Sequence, residues 1–144
     1  MHKTWIVVAD ASYARFFNAN KPTGPITEIE TLSNPVNRLH EGDLVSDQGG
    51  RDSNRGGGSH GIDAGGAAKT ESANRFAAEV CRHLEKGRQK KSFDRLYVMA
   101  APGFLGMLRK HQSRALRDLI RDEVAKDLAT RSAQDIRDQL PGAL

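Results

Sequence analysis

Thr4-Trp5-Ile6-Val7-Val8-Ala9-Asp10 holds no charged residue between its ends. A strand apolar on both of its alternating faces must be covered on both sides, so this run reads as the central strand of a layered sheet. Working outward, Ala14 to Ala19 (ARFFNA) and Ile26 to Leu32 (ITEIETL) read as further strands. The second of these alternates only imperfectly, which suits an edge. Phe93 to Ala101 (FDRLYVMAA) is a second central strand, closed by Pro102-Gly103, and Glu123 to Thr130 reads as a last strand.

Helices separate the later strands. From Ala67 to Lys86, the residues Ala73, Phe76, Ala77, Val80, Cys81 and Leu84 recur at helical spacing and form one apolar stripe, with Gly87 as a C-terminal stop. Phe104 to Arg121 reads as a second amphipathic helix, with Leu105, Leu108, Gln112, Leu116 and Leu119 inward. Ser132 can cap a short helix from Ala133 to Leu140, which Pro141 ends. The order β-β-β-α-β-α-β-α predicts an α/β chain: a three-layer, RNase H-like fold on a mixed five-stranded sheet. At 144 residues it is read as a single domain over 1–144.

Nine of the 14 glycines fall between Gly42 and Gly66. That stretch has few apolar residues and no periodicity, so it reads as a long mobile loop over 42–66, placed before the first helix. The charge is equally uneven. Residues 69–91 carry seven basic and three acidic side chains, residues 104–121 carry five and one, and the segments 42–68 and 122–144 are net acidic. The formal net charge of +4 therefore resides in the two helices.

On the second helix Lys110, Arg114, Arg117 and Arg121 follow helical spacing as one basic stripe; on the first, Arg75, Arg82 and Lys86 do the same. Aligned cations of this kind suit a phosphate backbone, because each contact releases counterions. Stacking aromatics are few, so base-specific reading of single strands is not expected from composition.

Other chemistries fit less well. A two-metal nuclease needs converging carboxylates; Asp10 and Glu79 are suitably placed, but the fourth strand ends Met99-Ala100-Ala101-Pro102 without an acid. Asp10 beside Ser12 reads as a turn residue. Gly61 to Thr70 ends in Lys69-Thr70 before a helix, yet Asp63 and Ala68 stand where a phosphate loop requires glycine, leaving only backbone amides to meet a phosphate there. His2, His40, His60, His83 and His111 show no metal-ligand spacing, and no metal or cofactor is expected. Cys81 lies on an apolar stripe and reads as a buried thiol. The longest apolar run is six residues, Leu96 to Ala101, which excludes a membrane span, and no secretory signal pattern is evident. A lone cysteine suits a reducing compartment. The expected location is cytoplasmic.

Three markers together resemble one bacterial family: Thr4 to Asp10 followed by Ala14-Arg15-Phe16; Ala100-Ala101-Pro102-Gly103-Phe104-Leu105-Gly106-Met107-Leu108-Arg109; and Lys126-Asp127-Leu128. Arg75-Phe76-Ala77 fits as well. The family is the host attachment proteins, described as required for attachment to host cells. It is similar in fold to the RNase H-like middle domain of archaeal and eukaryotic peptide-chain release factors, where a glycine-rich loop with a Gly-Gly-Gln tip promotes peptidyl-tRNA hydrolysis. The resemblance implies a ribosome-directed loop here. The tip itself is absent: Gly49-Gly50 is followed by Arg51, Gly65-Gly66 by Ala67, and Gln48 precedes its glycines.

The first expectation is thus a non-catalytic module contacting ribosomal or transfer RNA through Arg75, Arg82, Lys86, Lys110, Arg114, Arg117 and Arg121. Its loop, carrying Gly49, Gly50, Arg51, Arg55, Gly65 and Gly66, would order on binding, and attachment would be affected indirectly. A second is an esterase acting on peptidyl-tRNA, with Gln48 and His60 positioning a water. A third is a protein–protein adaptor at the cell envelope.

Overall fold

The computed structural model describes residues 2–37 and 58–144, the side chains of 58–65 excepted. The order of elements is β1 (Thr4–Ala9), β2 (Tyr13–Ala19), β3 (Thr27–Ser33), α1 (Gly58–Gln89), β4 (Arg95–Ala100), α2 (Pro102–His111), α3 (Arg114–Leu119), β5 (Ile120–Val124) and α4 (Ala133–Asp138). The five strands form one mixed sheet in the order β3-β2-β1-β4-β5. β1 runs antiparallel to β2 and parallel to β4, and β5 extends the parallel side.

The central position of β1 follows from its sequence. Val7 and Ala9 face one cluster, completed by Phe16, Phe76, Val80, Leu84, Val98, Leu108 and Leu116. Ile6 and Val8 face the other, completed by Phe17, Met99, Leu128, Ile136 and Leu140. Helices α1, α2 and α3 cover the first face, and the segment that ends in α4 covers the second, making three layers. β3 is an edge, as its weak alternation predicts: all but one of its residues are exposed. A register shift between Phe16 and Phe17 interrupts its pairing with β2.

Four boundaries differ from the sequence reading, each for a physical reason. The first helix begins at Gly58, inside the stretch read as a mobile loop, and continues through Gly87 to Gln89. Gly87 is not a stop. A Cβ there would lie 2.9 Å from Phe93 Cε1 and 3.0 Å from Trp5 Cζ3, so its missing side chain lets α1 approach the ring pair beneath it. Termination falls to Lys91, at φ 59°. Ser92 N–H donates to Gly87 O at 2.8 Å and Lys91 N–H to Arg88 O at 3.0 Å, the paired bonds of a Schellman end with lysine in the left-handed position.

The helix expected over 104–121 is two helices and the start of a strand. Gln112 is extended, and Ser113 caps α3 by accepting from Leu116 N–H at 3.0 Å. The last strand lies at Ile120–Val124, not 123–130, because Ile120 to Val124 ladder onto Leu96 to Met99. Leu128 and Ala129 are buried in the second cluster instead. Ser132 caps α4 as expected, accepting from Asp135 N–H at 3.0 Å.

The second layer is tied down by two arginines. Arg137, buried, donates to Gly24 O at 2.8 Å, Pro141 O at 2.7 Å and Gly142 O at 2.9 Å. Leu144 N–H donates to Pro22 O at 2.8 Å. Arg15 reaches Ala129 O at 3.0 Å and Arg131 O at 2.6 Å while stacking over Phe17.

Candidate nucleic-acid interface

Helix α1 lies on the sheet through Ala73, Phe76, Ala77, Val80, Cys81 and Leu84, all buried, as the apolar stripe predicts. Its flank packs along α2 and is joined there by polar pairs. His111 Nε2 and Asn74 Oδ1 share a hydrogen bond at 3.0 Å, and Ser113 Oγ donates to Glu85 Oε1 at 2.9 Å. Cys81 Sγ donates to Leu108 O at 3.4 Å, and burial pushes its thiol pKa up to about 12. The thiol is buried, as the apolar stripe predicts.

Breaking the second helix at Gln112 also breaks the basic stripe read there. Lys110 sits on α2, Arg114 and Arg117 on α3, and Arg121 on β5. The spacing that would align them on one helix face therefore does not apply. They lie on three consecutive elements, α2, α3 and β5, of which α2 and α3 pack against α1.

The arginines and lysines divide by what they touch. Arg15 donates through Nε and Nη2 to Glu28, Arg88 forks onto Glu85, and Arg109 donates to Glu123 Oε1 at 2.8 and 2.6 Å. The Arg88 hydrogen bond, helped by Ser113, holds the Glu85 carboxyl below the usual glutamate range; Arg15 does the same for Glu28. These pairs are structural. Arg82, Lys86, Lys110, Arg114, Arg117 and Arg121 are exposed, and among the described residues no carboxylate lies within 4 Å of them. Arg75 has only a long contact, 3.8 Å to Glu71 on the preceding turn.

Three shallow clefts run along this layer. One of about 610 Å³ lies between the early part of α1 and α2, where Gly66, Thr70 and Asn74 face Lys110 and His111. A smaller one, about 220 Å³, is bordered by Arg82, Glu85, His111 and Ser113. A third, about 540 Å³, is lined by Arg109, Gln112, Arg117, Ile120, Asp122 and Glu123.

Other candidates end elsewhere. Gln48, Gly49, Gly50, Arg51 and Arg55 lie outside the described residues. Gly65 and Gly66 are in α1, as is the backbone of His60, whose side chain is not among those described. Gly61 to Thr70 therefore lies within the helix and does not lead into it, and from Ile62 on each amide is past the first four N–H groups that a helix leaves open. Asp10 is a turn residue, as expected: Oδ1 accepts from Ser12 N–H at 2.8 Å and Tyr13 N–H at 2.7 Å. Sequence reasoning missed the buried set beside it. Asn34 Nδ2 donates to Ser72 Oγ at 3.0 Å and Ala11 O at 3.0 Å, and Asn37 Nδ2 to Ser12 Oγ at 2.7 Å. Among the described residues, no helix is long and apolar enough to cross a membrane.

The family model for a "Protein required for attachment to host cells" matches residues 5–140. No curated protein matches the chain. A solved structure titled "Archaeal protein" is 11% identical and aligns with a TM-score of 0.44. The alignment spans 94% of this chain and 36% of that one.

Proposed function

The chain belongs to the family of proteins required for attachment to host cells, and from that premise we propose that it is a non-catalytic module binding the backbone of ribosomal or transfer RNA. One observation carries the reading. The cations Arg82 and Lys86 on α1, Lys110 on α2, Arg114 and Arg117 on α3 and Arg121 on β5 are exposed without acidic partners among the described residues, whereas Arg15, Arg88 and Arg109 are committed to carboxylates. Exposed cations left without carboxylate partners are available to a polyanion, and each phosphate contact they make releases counterions. The effect on attachment is then indirect, exerted from the cytoplasm through RNA-dependent physiology.

The test is fluorescence anisotropy with labelled transfer RNA across a salt series, comparing the wild type with Arg114→Glu, Arg117→Glu and Arg121→Glu combined. Each lost phosphate contact should lower the log–log salt slope by about 0.7–0.9, so the triple variant should bind weakly and lose a slope of about 2.1–2.7. Equal affinity and slope would sink the proposal. Sedimentation of the tagged protein through a sucrose gradient then separates partners: ribosomal fractions support the reading, and envelope fractions support an adaptor role instead.

A further inference from the structure

We infer that the cleft between the end of α2 and β5 takes a nucleobase carrying a 5′-phosphate. Gln112 lines this cleft and is 8% exposed, yet its carboxamide makes no hydrogen bond with any described residue, and its Oε1 is closed off without a donor. Buried amides are nearly always paired, so an orphan on a cleft wall is a group held ready for a ligand. The terminal torsion of glutamine is soft, and a small turn presents a donor and an acceptor side by side, the pattern that matches a base edge and adenine best.

The rest of the cleft fits the same ligand. Arg109 is fixed in plane by Nε and Nη2, which both donate to Glu123 Oε1, while its side chain stays 56% exposed; a pinned guanidinium with an open face is a stacking platform for a base. Ile120 supplies an apolar wall, and Arg117, which shares the cleft with Asp122 but has no carboxylate of the described residues within 4 Å, is the cation left for the phosphate. A volume of about 540 Å³ is within the range of small-ligand sites. The inference deepens the RNA reading and rests on it for one source of the nucleotide, an unstacked residue of a bound strand; the other source is a free mononucleotide.

Gln112→Leu tests it, because the apolar replacement has similar shape and removes an unsatisfied buried group, so the variant should fold with an equal or higher melting temperature. Calorimetry with AMP, with inorganic phosphate, and with an adenosine hexanucleotide supplies the readouts. AMP should bind the wild type at least tenfold more tightly than phosphate, and Gln112→Leu should lose at least tenfold of that affinity. Hexanucleotide binding that falls in parallel names the strand as source; hexanucleotide binding unchanged while AMP binding falls names the free nucleotide. Phosphate binding as tight as AMP, or AMP binding untouched by Gln112→Leu, overturns the proposal. Transfer RNA binding to the wild type without any AMP binding overturns this inference alone, and AMP binding without RNA binding overturns the backbone reading alone.

Discussion

Alanine at two helical glycines should change stability in opposite directions. In the last turn of α1, Gly87→Ala gains at most about 1 kcal/mol of helix propensity. Its new methyl, however, would stand 2.9 Å from Phe93 Cε1 and 3.0–3.1 Å from two Trp5 ring atoms. Phe93 is 2% exposed and its ring centroid lies 4.8 Å from that of Trp5, so neither ring can yield without disturbing the other. Overpacking of this kind costs about 1–3 kcal/mol, which outweighs the propensity gain. The net loss is about 1 kcal/mol, or a melting temperature lower by about 3 °C for a domain of this size. In α2, Gly106 would place its Cβ in open space, so Gly106→Ala should keep the propensity gain and raise the melting temperature by about 3 °C. Circular dichroism melts of both variants check the pair. Phe93→Leu, which removes the clashing Cε1, should make Gly87→Ala neutral or favourable in a double-mutant cycle. Equal stabilisation at both glycines would refute the close approach of α1 to the rings.

Further outcomes follow from other contacts. Lys91→Gly relieves a left-handed lysine and should stabilise by about 0.5–1 kcal/mol in urea titrations. Arg137→Met removes donors from three carbonyls and should cost about 2–4 kcal/mol, with faster proteolysis of the segment after β5. Cys81 should resist thiol reagents at neutral pH until denaturant unfolds the chain; rapid labelling of the native protein would contradict its burial. Glu28 has a folded pKa below its unfolded value, held there by Arg15. Its contribution is complete above the ordinary value of 4.5 and is lost as pH falls through the lower folded one, so Glu28→Gln should flatten the acid limb of stability against pH.

The central strands were legible because burial on both faces leaves an apolar run that nothing in solvent would tolerate. Cys81 and Asp10 were legible for local reasons: one lies on a helical stripe, the other on a tight turn. Gly87 misled because its role is to make room for Phe93, six residues on, and Trp5, from the other end of the chain, and no window of sequence contains that encounter. Gln112 counted as an inward helix position, and burial was right; that it ends α2 depends on β5 pairing with β4. The basic stripe was read on the assumption of an unbroken helix, so its residues were identified while their alignment was not. Arg137 and Arg15 were missed because an arginine that binds backbone carbonyls leaves no pattern in spacing or charge.

The place of β1 also bears on how the chain reaches its fold. β2 can pair with it locally, and β3 with β2, but its other neighbour begins at Arg95, aligned with Thr4 and about ninety residues later. Contacts over such separations close slowly. During synthesis, the early hairpin strands must therefore wait with Val7, Val8, Phe16 and Phe17 uncovered, which makes the emerging N-terminal third a natural client for a chaperone.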